Sequence, residues 1–117
     1  MQDLNLRPNS ITSIPRDNEG YLLNPEDWSE ALAEVLAAEA EFELVGESRE
    51  IVWFVRDYFE QHASVPEARK VLKFMKEQWG EEKATRKYLY TLFPRGYAQQ
   101  ACKVAGMRKP LKLMLDL

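Results

Sequence analysis

Residues 87–110 read KYLYTLFPRGYAQQACKVAGMRKP, and this stretch decides the fold. Lys87 to Phe93 form an aromatic-rich turn or two of helix that Pro94 must end, because proline lacks the amide hydrogen and clashes with the preceding turn. Gly96 then releases the chain into a second short helix. Gly106 closes that helix, and Pro110 forbids any continuation. Within the second helix Ala98, Ala101, Cys102 and Ala105 fall at i, i+3, i+4 and i+7, which places the chain's one cysteine on a small-residue face.

Working outward, the segment before this one is a helix that starts at Val65-Pro66, carries Ala68, Val71, Leu72, Met75 and Trp79 on its apolar face, and ends at Gly80. Upstream, Ser48 opens a helix in which Ile51, Phe54, Val55 and Tyr58 recur at helical spacing while Arg49, Glu50, Arg56 and Asp57 face water. Trp53 lies off that stripe. Asn24-Pro25-Glu26-Asp27 is a helix start, with Asn24 as cap, Pro25 at the first helical position and acids in the first turn; Trp28, Ala31, Leu32, Val35 and Leu36 mark its buried face. Residues 11–24 read as a small β-hairpin, with Ile11, Ser13 and Ile14 before a turn at residues 16–20 and Tyr21-Leu22-Leu23 returning. Residues 1–10 are a loose lead-in without periodicity. The expected fold is mainly α: a compact orthogonal bundle of about five helices with one N-terminal β-hairpin. One domain spans 11–110, and an apolar tail follows at 111–117.

The same residues carry a family resemblance. Tyr88-Leu89-Tyr90, Leu92-Phe93-Pro94, Gly96, Gln100-Ala101-Cys102, Ala105-Gly106 and Lys109-Pro110 resemble the C-terminal part of the DsrC/TusE family of sulfur-relay proteins. The match continues upstream through Asp17 to Leu22, Asp27-Trp28 and Phe54 to Tyr58. The resemblance implies a helical bundle and a role beside sulfurtransferase, sulfite-reductase or tRNA-thiolation machinery. It also implies a sulfur-carrying cysteine on a C-terminal arm, eleven positions beyond the Gln-Ala-Cys cysteine. That position is Leu113 here. Tyr97 and Arg108 stand where the family usually has proline.

At 117 residues, with 45% hydrophobic and 30% charged side chains, the chain fits one ordinary globular domain. No apolar run reaches the length of about 20 residues that a membrane helix needs, and the N-terminus lacks a basic start followed by an apolar stretch, so the expected location is cytoplasmic. One cysteine forms no internal disulfide, and Cys102 with the single His62 makes no zinc site. The net charge of −3 hides an asymmetry: residues 1–65 carry 14 acidic and 4 basic side chains, residues 66–117 carry 5 and 12. The basic half could attract an acidic protein or a nucleic acid, or the two halves could attract each other across the fold.

Cys102 is the one candidate nucleophile. Its thiol becomes reactive as thiolate, which neighbouring Arg95, Lys103 and Arg108 would favour and apolar burial would oppose. No Ser/His/Asp pattern or glycine-rich phosphate loop accompanies it, and no cofactor is called for, so the chemistry extends at most to a sulfurtransferase or sulfur-carrier role. Glu39, Glu41 and Glu43 have the spacing of solvated acids. Three functions follow. The first is a non-catalytic binding or regulatory partner in sulfur metabolism with Cys102 as a redox or persulfide-accepting thiol. The second is a carrier that uses Cys102 itself. The third is a nucleic-acid-binding regulator through basic residues of 66–93, namely Arg69, Lys70, Lys73, Lys76, Lys83, Arg86 and Lys87. A protein partner would meet Arg95, Lys103, Arg108, Lys109 and Leu113. The apolar tail should pack on the body, pair two copies or dock on another protein, so the chain is expected as a monomer or a homodimer.

Overall fold

The computed structural model describes residues 14–110. Four α-helices follow one another: α1 (Glu30–Glu39), α2 (Gly46–His62), α3 (Ala68–Trp79) and α4 (Arg86–Leu92). A π-helix, Tyr97–Cys102, completes the order, and short 3₁₀ turns at Pro25–Asp27 and Glu81–Lys83 precede α1 and α4. The helical class expected from the spacing is therefore present.

The hairpin is not. Among the described residues no strand forms; Arg16 and Leu22 make a single isolated antiparallel bridge. The physical reason lies in the turn. The Asp17 carboxylate accepts from the Glu19 N–H at 2.8 Å and from the Tyr21 N–H at 3.0 Å, so donors that a ladder would use are taken by a side chain. Pro15 has no amide hydrogen to extend the pairing on the other side. Ile11 and Ser13, the residues expected to lengthen it, lie outside the described residues, as do the lead-in and the tail.

The helix expected from Asn24 is also broken in two. Asn24 does cap, its side chain accepting from the Glu26 N–H at 3.0 Å, with Pro25 at the first position. The turn nevertheless closes at Trp28, which is extended, and α1 begins afresh behind Ser29, whose hydroxyl accepts from the Leu32 N–H at 3.1 Å. The break is forced by where Trp28 must point, because its indole N–H donates to the Val104 carbonyl at 2.8 Å.

Helix α2 starts two residues before Ser48, which folds its hydroxyl back onto the Glu43 and Val45 carbonyls at 2.7 and 2.8 Å. It ends at Ala63 in the left-handed conformation. Helix α3 starts at Ala68, later than Val65-Pro66, and stops at Gly80 with φ of +96°. In α4, Thr85 caps by accepting from the Tyr88 N–H at 3.0 Å, and the helix ends before Pro94 as expected.

One core joins these elements. It takes Leu32 and Leu36 from α1, Ile51, Val52 and Val55 from α2, Val71 and Met75 from α3, and Leu89 with Phe93 from the end of α4. The π-helix and its exit add Ala101, Cys102, Val104, Ala105 and Met107. Helix α2 lies at the centre, packed against both α3 and the π-helix. Trp53 joins this arrangement as a packing residue, edge-on to Trp28 with ring centroids 5.7 Å apart.

Candidate functional site around Cys102

The segment that holds Cys102 is buried on almost every side. Tyr97, Gln100, Ala101 and Cys102 of the π-helix are all buried, and so are Val104 to Met107 behind it. The wider helix is closed at its end by the Lys103 N–H bonding to the Ala98 carbonyl five residues back. Its start is Gly96 with φ of +105°. Gln100, a polar side chain inside the core, uses both ends of its amide: the nitrogen donates to the Ala40 carbonyl at 2.9 Å and the oxygen accepts from the Arg95 N–H at 2.9 Å. The π-helix is thus tied to the end of α1.

Two further side chains clamp the exit. Trp28 holds the Val104 carbonyl, and its ring presses on Gly106, where an added Cβ would lie 2.4 Å from Trp28 Cδ1. Arg56 reaches the same segment from α2. Its guanidinium donates to the Pro25 carbonyl at 2.9 Å, to the Ala105 carbonyl at 3.3 Å and to Glu60 at 2.8 Å, and lies over the rings of Trp28 and Phe59 at 4.8 and 5.6 Å. The expectation that Arg56 faces water is corrected: it is 8% exposed. Val52, Val55, Arg56 and Phe59 fall at i, i+3, i+4 and i+7, so the position lies on the apolar face. Five donors in a planar fork let it satisfy buried carbonyls there.

Cys102 itself has no exposed surface. Burial pushes its thiol up to about 12 from an ordinary 9.0, against the opposing effect of a side-chain hydrogen bond with Tyr97. Tyr97 is in turn fixed by donating its hydroxyl to the Pro66 carbonyl at 2.7 Å, and burial raises its phenol well above the usual range. In this conformation the thiol is neutral near pH 7 and screened from any donor. The cations expected to activate it face elsewhere. Arg95 pairs with Glu41, Lys103 sits 4.9 Å over the Tyr21 ring, and Arg108 lines a groove with Pro25, Phe59 and Val65.

The remaining expected site residues fall into separate places. Arg95 and Lys103 share a polar cleft of about 220 Å³ with Glu19, Glu39 and Gln99. Arg108 and Lys109 border a groove of about 420 Å³ with Pro25, Phe59 and Val65. Leu113 lies outside the described residues. Arg69, Lys70 and Lys73 line a shallow cleft with Glu67. Acids interrupt the basic surface of residues 66–93: Arg69 pairs with Glu67 at 2.9 Å, Lys76 with Glu81 at 3.3 Å and Lys83 with Glu47 at 2.8 Å. Of the three acids read as solvated, Glu39 pairs with Arg16 at 2.6 Å and Glu41 with Arg95, and among the described residues no cluster gathers to hold a metal ion. No helix of the described residues is long and apolar enough to cross a membrane.

Tyr97, Gln100, Trp28 and Arg56 build the site, and the sequence signals none of these contacts directly. Each acts through a backbone carbonyl distant in the chain, which periodicity does not register.

Comparison with known proteins places this arrangement. The family model described as DsrC like protein matches residues 10–114. Sulfurtransferase TusE of Yersinia pseudotuberculosis is 46% identical over 99 residues, covering 85% of this chain and 92% of the relative. The Salmonella typhimurium protein of the same description is 46% identical over 99 residues, covering 85% and 91%. Among solved structures, the oxidized gamma-subunit of the dissimilatory sulfite reductase (DsrC) from Archaeoglobus fulgidus matches with a TM-score of 0.76 and 34% identity, over 84% of this chain and 90% of that one. DsrC of Allochromatium vinosum matches with a TM-score of 0.72 and 43% identity, over 82% and 86%. Sequence and fold agree, and the chain belongs to the DsrC/TusE family.

Proposed function

We propose that this chain works in a sulfur relay, accepting sulfur at Cys102 from one protein partner and yielding it to another. One observation carries the reading: relatives that share 46% of aligned residues are described as sulfurtransferases, and Cys102 is the chain's single cysteine. This shifts the weight from the binding or regulatory role, the first of the three functions read from the sequence, to the carrier. In the transfer, the Cys102 thiolate attacks the outer sulfur of a donor persulfide. The donor's S–S bond breaks, its thiolate leaves, and Cys102 becomes the persulfide; its own proton passes to the leaving thiolate. Burial of the thiol requires the segment that Trp28 and Arg56 clamp to open first, so acceptance is slow in the isolated chain.

A second reading is favoured by that same burial. A cysteine without exposed surface, with leucine at the arm position, suits a family member that docks on relay proteins without carrying sulfur. Intact mass separates the two. After incubation with a persulfide donor under native conditions, a carrier gains the mass of one sulfur atom, and Cys102→Ser abolishes the gain. Labelling that appears only in denaturant excludes the carrier and leaves the docking protein.

A further inference from the structure

We propose that Arg56 is a positioning residue for Cys102: it latches the exit of the π-helix, and release of that latch exposes the thiol through an opening of residues 96–107 alone. The purpose of the latch rests on the sulfur-acceptance reading, since a carrier must admit a donor to a thiol without exposed surface.

Among the described residues Arg56 is the one charged side chain that is buried. Burying a charge is costly, and even a paired one stabilises no better than apolar packing of similar volume. Position 56 shares a helix face with Val52, Val55 and Phe59, where an apolar side chain would satisfy packing. Stability does not explain the guanidinium; its contacts do. Two hold it to the body, Glu60 at 2.8 Å and the Pro25 carbonyl at 2.9 Å. The third crosses to the Ala105 carbonyl at 3.3 Å, beyond the usual range of about 2.7–3.2 Å. When that joint parts, Arg56 gives up its longest bond and keeps the other two. No unpaired charge is left behind.

The segment across the joint is suited to part as a unit. It runs between Gly96 and Gly106, with φ of +105° and +83°, and among the described residues no helix follows it. Ala98, Ala101, Cys102 and Ala105 lie between the glycines, and their small side chains limit the apolar area that parting exposes. Its other ties are single donors: Trp28 to the Val104 carbonyl, Gln100 to the Ala40 carbonyl and Tyr97 to the Pro66 carbonyl. Glu60, 57% exposed, is the part of the latch that solvent reaches.

The test is the rate at which iodoacetamide alkylates the full chain across a urea series, beside its global unfolding followed by circular dichroism. Because Cys102 is the only cysteine, the label reports this site alone. In the parent the alkylation rate should rise with urea much less steeply than global unfolding, since a local opening exposes less surface. Arg56→Lys keeps the charge but not the fork, and should speed alkylation about tenfold, the effect of a hydrogen bond to a charged group. Its global unfolding constant should change by a smaller factor. Glu60→Gln changes only the exposed partner, keeps the fold, and should speed alkylation several-fold at an unchanged urea midpoint. A parent slope equal to the global one would overturn the proposal, because the thiol is then reached only by complete unfolding. Alkylation that rises in both variants no more than global unfolding does would also overturn it, leaving Arg56 a purely structural residue. A shallow slope unmoved by either variant overturns the latch but not the carrier, whereas alkylation without sulfur uptake from a persulfide donor overturns the carrier but not the latch.

Discussion

At the residue scale, the most tightly enclosed glycine of the described residues is Gly106. Its φ of +83° favours glycine, and a Cβ would also lie 2.4 Å from Trp28 Cδ1 and 2.7 Å from Trp28 Cβ. Trp28 cannot give way cheaply, because its indole is fixed to the Val104 carbonyl and packed against Arg56. Gly80 is the natural control: its φ is +96°, yet nothing lies within 4 Å of an added Cβ. Both alanine substitutions share the backbone strain, of order 1–3 kcal/mol. Only Gly106→Ala adds the clash, which should cost a further 1–3 kcal/mol, roughly the overpacking range. Chemical denaturation of the two variants isolates this difference; equal losses would mean that Trp28 moves freely. The need for glycine at 106 was legible in the sequence as a helix stop. The tryptophan behind it was not, since residues 28 and 106 meet only through the fold. Cys102 shows the same division: spacing alone placed it on the small-residue face, but whether that face is covered depends on α2.

At the element scale, local signals located each α-helix of the described residues and misjudged where three of them begin. Asn24-Pro25 is a good cap, and it caps a single 3₁₀ turn. Ser29 is the cap that α1 uses, and the apolar spacing from Trp28 onward hides it, because Trp28 fits the helical stripe while serving a different contact. The two caps make different predictions. Ser29→Ala removes the acceptor for the Leu32 N–H and should destabilise the protein by about 1 kcal/mol, and Asn24→Ala should cost less, because Asn24 opens a turn without buried residues. Thermal unfolding of the pair decides the matter. An equal or larger loss at Asn24 would show that the two segments act as one helix. The hairpin failed for a comparable reason: Asp17 satisfies turn amides that a longer ladder needs, and side-chain competition of this kind leaves the alternation in the sequence unchanged. The π-helix could not be foreseen, since Ala98, Ala101, Cys102 and Ala105 suit a regular helix as well. Gln100, bonded at both ends, fixes the wider form.

At the scale of the whole molecule, the opposed charges of the two halves meet across the fold. Glu19, Glu41 and Glu47 of the acidic half pair with Lys109, Arg95 and Lys83 of the basic half. These pairs are exposed, so each contributes little to stability. The titration that matters is buried. In the folded chain Cys102 keeps its proton up to about 12, against 9.0 ordinarily. Tyr21 behaves alike, pushed up to about 12 from 10.0 by burial and by the charges on Cys102, Glu19 and Asp17, and Tyr97 is raised well above the usual range. The unfolded chain releases these protons first. Between about pH 9 and 12 it therefore binds fewer protons than the folded chain, and stability must fall as pH rises. Each group that is fully within its window contributes a slope of about 1.4 kcal/mol per pH unit. From pH 9 to 10 the loss belongs mainly to Cys102, and the tyrosines steepen it above 10. Cys102→Ala should lower stability at neutral pH through the small cavity it leaves, yet flatten the dependence between pH 9 and 10. Urea midpoints at pH 8, 9, 10 and 11 for the two proteins provide the measurement. An unchanged slope in Cys102→Ala would mean that the thiol ionises in the folded state, and that water already reaches it.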